Sequence, residues 1–461
     1  MPRAVYSLAV VIVIFCLSLP AGFGKQTAEP APYRIATFSC DVTPPPDGHP
    51  LIWLVPVKEV ETPLEARGIV LDDGQRRYVL CAMDWCGICN STHEILQNAL
   101  AEGAETQPEY VALHTVHQHT APYTDSQAQR LLDEVQAEIR YVDDSFLNVV
   151  ADRMKNAVRE SLQRFQPVDQ IGFSAVAVEQ VASNRRAWTP DGRLVTRYSS
   201  CKDPQIRDLP EGLIDPLLRT VTFASGGRPI VRLHYYATHP QSFYGDPRAS
   251  SDVPGFARAR LEKDEGVFQI YFTGCSGNIT MGKYNDGSRE ARDQLTERLY
   301  QAMSQARLKT RYEPLRSVRW QSMPFRFIPR SDAGYREDDL RGRLADPSVD
   351  PVQRVRAACR LSFLQRAEKP LVVQALSLND ALILHLPGEC FIEYQLYAQS
   401  LRPNAFTAVA AYGDLGPGYI CTAKAFQEGG YEPTATGLAP ENESLLKEII
   451  ATLAKWESSQ Q

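Results

Sequence analysis

Between Leu113 and Asp125 the chain reads LHTVHQHTAPYTD, which places His114, His117 and His119 within six residues, although the 461-residue sequence has only eight histidines. Imidazoles gathered this way hydrogen-bond at a strand edge, move protons near neutral pH, or bind a metal. The cluster follows an apolar segment, Tyr110 to Leu113, with strand character, and runs into Pro122, which a strand interior excludes. The histidines are therefore expected at a strand end and on the loop leaving it. Were the strand to continue through them, His117 and His119 would share one face and His114 the other. Two more residues stand in comparable places: His239, in Tyr235-Tyr236-Ala237-Thr238-His239-Pro240, and Glu389, in Pro387-Gly388-Glu389 between a strand and a helix. The plain alternative for Glu389 is a first-turn glutamate favoured by the helix dipole. Two imidazoles and one carboxylate nevertheless make a catalytic zinc set with an open position, and His117 and His119 are equal candidates for membership.

A second kind of chemistry is suggested by Thr273-Gly274-Cys275-Ser276-Gly277-Asn278-Ile279-Thr280, which follows an apolar strand from Val267 to Phe272. Gly274 and Gly277 permit close backbone approach to a ligand and exposed amide donors. The segment lacks the G-x-S-x-G pattern, so Ser276 is not read as a hydrolase nucleophile. Arg185 and Arg186 read by default as a solvated pair.

The elements that must position these residues alternate in type. Arg34 to Val42 and Gln170 to Val178 read as strands. Arg67–Leu71 with Tyr78–Met83, and Leu217–Phe223 with Ile230–Tyr236, read as hairpins. Helical periodicity covers about His93 to Ala101, with Ser91 or Thr92 as cap, then Ser126 to Arg140, Asp144 to Phe165 and Ser288 to Ala306. Arg336 to Ala367 is charged and helical, a surface segment or a mobile cover. Strand, helix, strand order predicts an α/β fold of mixed β-sheets flanked by helices, with the metal site at strand ends and loops.

The N-terminus combines Met1-Pro2-Arg3, an apolar run to Leu19, and small residues at Ala21, Gly22 and Gly24. It reads as a secretory leader over residues 1–24, leaving 25–461 as one exported domain. No later segment is apolar for long enough to span a bilayer. The net charge of −6 argues against nucleic acid and anionic membrane surfaces as partners. Nine cysteines follow the leader, and Cys81, Cys86 and Cys89 lack the second paired cluster of a zinc finger, so they are read as thiols or disulfides.

HQHTAP, ATHPQS with Ser250-Ser251-Asp252-Val253 behind it, Thr273–Thr280, LPGE, and Gly418-Tyr419 through Gly430-Tyr431-Glu432 occur in a familiar order and spacing. With Asp41-Val42-Thr43-Pro44-Pro45 at its start, nearly the whole mature chain resembles the N-terminal catalytic domain of the neutral/alkaline, non-lysosomal ceramidases. The resemblance implies a Zn2+-dependent amidohydrolase acting on the amide of ceramide or a related N-acyl compound, with a small-molecule or lipid-like partner. It implies zinc ligands at His119, His239 and Glu389, with Tyr419 also approaching the metal. It further implies catalytic roles for Tyr431 and Arg185, a neighbouring proton-transfer role for His117, and Thr280 in the place of a serine. Gly274, Ser276, Gly277 and Asn278 are then expected against the substrate. The pattern departs from the family at Gly277-Asn278-Ile279-Thr280-Met281 and at Ala411 to Pro417, and Gln461 leaves no room for an immunoglobulin-like C-terminal domain. A zinc hydrolase of another soluble amide or ester, and a non-catalytic binding protein keeping the pocket, stand as the alternatives.

Overall fold

Three sheets carry the fold, and each is antiparallel except for one parallel pair at its edge. A computed structural model describes residues 1–2 and 33–455, so the expected leader lies outside the described residues apart from Met1 and Pro2. The first sheet runs Val111–Thr115, Arg77–Met83, Glu65–Asp72, Arg34–Asp41, Gln166–Pro167, and only its first two strands are parallel. The second runs Phe268–Thr273, Arg228–Tyr236, Leu217–Ser225, Gln170–Ala177, Arg311–Pro314, again parallel only in the first pair. The third runs Val318–Phe325, Leu371–Leu378, Ala381–His385, Thr407–Ala410, parallel only in the last pair. The expected α/β class is what the chain folds into.

Parallel neighbours need a crossover rather than a tight turn. Helices Asn90–Ala104, Asp252–Glu265 and Ile392–Ser400 supply the three crossovers. Parallel strands covered on both faces read as unbroken apolar runs, and every residue of Val111–Thr115, Ala381–His385 and Thr407–Ala410 is buried. Their carboxyl ends meet. Thr115 N donates to Tyr412 O (2.9 Å), Ala411 N to Thr273 O (2.9 Å), and Thr273 Oγ1 to Val116 O (2.6 Å), so the three sheets are pinned to one another by backbone. Val116, Ala237, Ile279, Leu376 and Ala408 share one apolar core there.

Both predicted hairpins form, Glu65–Asp72 with Arg77–Met83 and Leu217–Ser225 with Arg228–Tyr236. The helix expected from about His93 begins earlier, at Asn90, and neither Ser91 nor Thr92 caps it. Instead Asp414 accepts from Asn90 N at 2.8 Å, a cap supplied from the other end of the chain. Two later helical segments also divide differently. Ser126–Glu134 ends sooner than expected, and 336–367 splits into Glu337–Ala345 and Pro351–Gln365, with Asp350 capping the second. All nine cysteines among the described residues are free thiols. Among the same residues, no helix is long and apolar enough to cross a membrane.

Candidate metal centre

The six parallel strands of these three sheets each deliver a residue to one point. His117 leaves the first sheet, His239 and Ser276 the second, and Glu389, Tyr412 and Tyr419 follow strands of the third, while Cys86 follows Arg77–Met83. His117 Nε2 lies 3.1 Å from His239 Nε2 and 3.4 Å from Glu389 Oε2, and His239 Nε2 lies 3.3 Å from Glu389 Oε2. All three side chains are buried. Tetrahedral bonds of about 2.0–2.1 Å to one zinc ion would separate ligand atoms by about 3.3–3.4 Å, so the triangle has the size of three corners of such a site.

The protons of the imidazoles are committed elsewhere. His117 Nδ1 faces Cys86 O at 2.6 Å and His239 Nδ1 faces Ser276 O at 2.8 Å, contacts that only an N–H can satisfy. This assigns the tautomers from hydrogen-bond geometry and leaves both Nε2 atoms as lone-pair donors aimed at a carboxylate oxygen. Glu389 Oε2 is itself without a hydrogen-bond partner. Burial lowers His239 to about 3, so its imidazole is neutral at neutral pH. Three acceptor atoms thus converge without a proton between them, an arrangement that desolvation makes costly and that a bound cation relieves.

A second grouping, Cys86, His117 and His119, also falls within ligand spacing. It is the poorer donor set. Cys86 Sγ approaches His117 at Nδ1 (3.9 Å), the nitrogen already given to the Cys86 carbonyl, and burial pushes the thiol well above its ordinary value. Strain gathers at the better site: His117 has φ 72° and Tyr412 φ 64°, left-handed values that non-glycine residues seldom adopt.

The expected ligand His119 is beside the triangle rather than in it. Its Nδ1 faces His117 O at 3.1 Å, its ring packs 4.8 Å from that of His117 and 5.3 Å from Trp53, and it lines the cavity above the site. Tyr419 comes close, stacked 6.4 Å from the His239 ring, and its hydroxyl accepts from Arg185 Nη1 at 2.8 Å. Arg185 is not solvated, as its default reading held, but 3 % exposed, between the rings of Tyr419 (5.5 Å) and Tyr431 (5.7 Å). Burial opposes its charge, yet Tyr419 and Glu432 outweigh burial and raise its pKa. Arg186 is paired as well, with Glu428 and Glu432.

The Gly274–Asn278 segment, expected against the substrate, is not in the lining of that cavity. Gly274 N donates to Tyr236 O (2.9 Å) and Gly277 N to Cys390 O (2.8 Å), so neither amide is free to bind an oxyanion. The glycines are there for packing: a Cβ on Gly277 would stand 2.2 Å from Glu389 O, and one on Gly274 2.6 Å from Gln395 Oε1. Ser276 orients His239 through its carbonyl and holds Tyr412 through its hydroxyl (2.7 Å). Asn278 binds Glu393 and the Ile392 amide. Thr280 is likewise away from the cavity, its Oγ1 accepting from Gly282 N at 2.7 Å. Tyr412, absent from the sequence-derived set, stacks 4.3 Å from the His117 ring and places its hydroxyl 3.3 Å from His239 Nδ1.

A cavity of about 550 Å³ opens over the site, with His117, His119, Glu389, Tyr419 and Tyr431 in its lining. Fold and geometry together define a mixed α/β protein with a buried group of His and Glu side chains able to hold a metal ion. Neither family models nor curated protein sequences match the chain. Among solved structures the fold is similar to that of neutral ceramidase from Pseudomonas aeruginosa, with a TM-score of 0.69 and 14% identity over 93% of this chain and 75% of that one. A ceramidase complexed with C2 is similar at the same TM-score and identity, over 93% of this chain and 76% of its own. At that identity the likeness is one of fold.

Proposed function

We propose that the chain is an exported zinc-dependent amidohydrolase that cleaves the amide bond of ceramide or a related N-acyl compound, with residues 25–461 as its one hydrolase domain. The observation that carries this reading is the meeting of His117 Nε2, His239 Nε2 and the unpartnered Glu389 Oε2 beneath a cavity of about 550 Å³. The ceramidase-like fold supports it, and export rests on the leader alone.

His117, His239 and Glu389 would hold the zinc, with the Tyr419 phenol beside them. This exchanges the roles that the resemblance gave to the two histidines of HQH. Zinc there supplies Lewis acidity, which brings the pKa of water from about 15.7 to about 7. The ligands carry one negative charge in total, so the loaded site stays cationic and favours negative charge on a reacting carbonyl oxygen. Arg185 reinforces that field through the Tyr419 hydroxyl, and Tyr431 lines the same wall. His119 is the most exposed of the three histidines (9 % against 2 % and 1 %) and is kept neutral by burial, which leaves its Nε2 free to take a proton from the attacking water and pass it to the departing amine. The test is metal analysis of protein purified without chelators, followed by hydrolysis of a panel of N-acyl lipids and N-acyl amino acids with and without zinc. The expected result is about one zinc per chain and turnover that His239→Ala and Glu389→Ala abolish. Less than about a tenth of a zinc per chain, with no turnover on zinc addition, would leave the non-catalytic binding protein as the better reading.

A further inference from the structure

The cavity that covers the donor triangle has two unlike walls. One is apolar, with Ile52, Leu54 and Leu415 in its lining, and the other is cationic, formed by Arg343 of helix Glu337–Ala345 and by Arg356 and Arg360 of helix Pro351–Gln365. Arg356 and Arg360 are four residues apart and so project from one helix face. Arg354 Nε donates to Leu344 O at 2.8 Å, which locks the two helices together and fixes Arg343 against that face.

These three guanidinium groups line one cavity and have no counter-charge. Among the described residues, no carboxylate is within ion-pair distance of Arg343, Arg356 or Arg360. The nearby acids are already engaged: Glu337 with Arg341, Asp332 with Arg330, and Asp339 with the Gly334 amide. Arg360 reaches only a carbonyl, donating to Thr434 O at 2.7 Å, with its guanidinium carbon 4.7 Å from the Tyr335 ring centroid. All three are partly buried. Burial, then the like charges of Arg343 and Arg356, lower the Arg360 pKa. The single carboxylate in the cavity lining is Glu389, at the donor triangle, and this cationic wall stands in a protein of net charge −6. Half-buried arginines with no acid to pair with are the arrangement used to capture a carboxylate, sulfonate or phosphate group, because the planar fork binds two such oxygens at once.

The wall is also tied to the chemistry. The Thr434 carbonyl that receives Arg360 belongs to the turn Glu432–Thr434, in which Thr434 N bonds back to Tyr431 O at 3.0 Å. The Tyr431 ring is 5.8 Å from that of Tyr419. An anion seated on the arginines would therefore share the cavity with the donor triangle and be joined through this turn to Tyr431 and Tyr419.

We infer that the substrate is an N-acyl amine whose amine portion carries an anionic group, recognised by Arg343, Arg356 and Arg360. This deepens the hydrolase reading and rests on it for the position of the amide, but the anion site is testable without turnover. Four probes of similar size separate the possibilities: N-octanoylglycine, N-octanoyltaurine, N-octanoyl phosphoethanolamine and the neutral N-octanoylethanolamine. Calorimetric titration into full-length His239→Ala protein, which the hydrolase reading makes inactive, is expected to show at least one anionic probe binding about tenfold or more tighter than the ethanolamide. Which anion binds best identifies the group. Arg356→Gln combined with Arg360→Gln should abolish that preference while ethanolamide affinity and melting temperature hold. Should the double variant melt early, Arg343→Gln alone should still reduce the preference, and raising salt from about 50 to about 500 mM should weaken the anionic probes only. Equal binding of all four probes by the parent, or a preference that survives the arginine substitutions, overturns the inference. Arginine-dependent binding without hydrolysis of any probe by zinc-loaded parent protein would instead remove the hydrolase reading and leave the anion site standing.

Discussion

The molecule holds two groups of histidines, and only one has the marks of a metal centre. His117, His119 and His239 gather at the carboxyl ends of parallel strands; His93, His114 and His385 line a separate cavity of about 340 Å³ close by. In the second group His114 Nδ1 faces Ala411 O at 2.7 Å, and His385 Nδ1 faces His114 Nε2 at 2.9 Å, so one imidazole's proton satisfies the other's lone pair. Its nearest acid, Asp414, is held by Arg366 and caps Asn90 N. In the first group no imidazole satisfies another, and the carboxylate keeps an oxygen free. Histidine number is alike and only His93 is less than buried; the destination of the Nδ1 protons and the freedom of the acid separate a donor set from a hydrogen-bonded core.

The largest expected break in that comparison is Glu389→Ala. Metal content should fall from about one to below about a tenth per chain, and hydrolysis with it, while His385→Phe in the other group leaves metal content unchanged. Two glycines give a finer contrast. Gly277→Ala drives a methyl into Glu389 O, 2.2 Å from the ideal Cβ, and should weaken metal affinity about 10–100-fold. Gly413→Ala, whose Cβ would stand 3.1 Å from Leu386 O and 3.6 Å from the His114 ring, should lower stability by only about 1 kcal/mol with full metal content, read by titration and thermal melts. His114→Ala should cost about 1–3 kcal/mol in urea unfolding, since it strands the His385 donor, and again spare the metal.

A last effect is on pH dependence. Burial lowers His114 to about 3, below its value in the unfolded chain, so the unfolded state binds the extra proton. Its contribution is complete above about pH 6.5 and is lost as pH falls towards about 3, at about 1.4 kcal/mol per unit. Unfolding midpoints measured between pH 7 and 5 should therefore fall less steeply in His114→Ala than in the parent, with excess zinc leaving the difference between the two unchanged.

His239, Glu389 and the HQH pair were legible because proline and glycine mark strand ends, and strand ends in α/β sheets carry chemistry. The choice between His117 and His119 was not, since the strand stops at Thr115 and His117 then turns through a left-handed conformation that alternation does not describe. Tyr412 left a trace that was overlooked. It stands two residues beyond strand Thr407–Ala410, as His117 stands two beyond Val111–Thr115, and both have positive φ. Gly274 and Gly277 were read as permitting close ligand approach and exposed amide donors, whereas Gly277 packs against the Glu389 backbone and Gly274 against Gln395 and Ala237. The Asn90 helix start depends on Asp414, a partner more than 300 residues away that no local window contains.

The triangle takes one corner from each sheet, and His117 and His239 are 122 residues apart in sequence. An ion held there would act as a removable staple in a chain whose nine described cysteines form no disulfide. Because such an ion binds the folded arrangement and is released by the unfolded chain, its stabilising effect would grow with its free concentration relative to its dissociation constant, so the atom proposed for the chemistry would also be the clasp that keeps three sheets from parting.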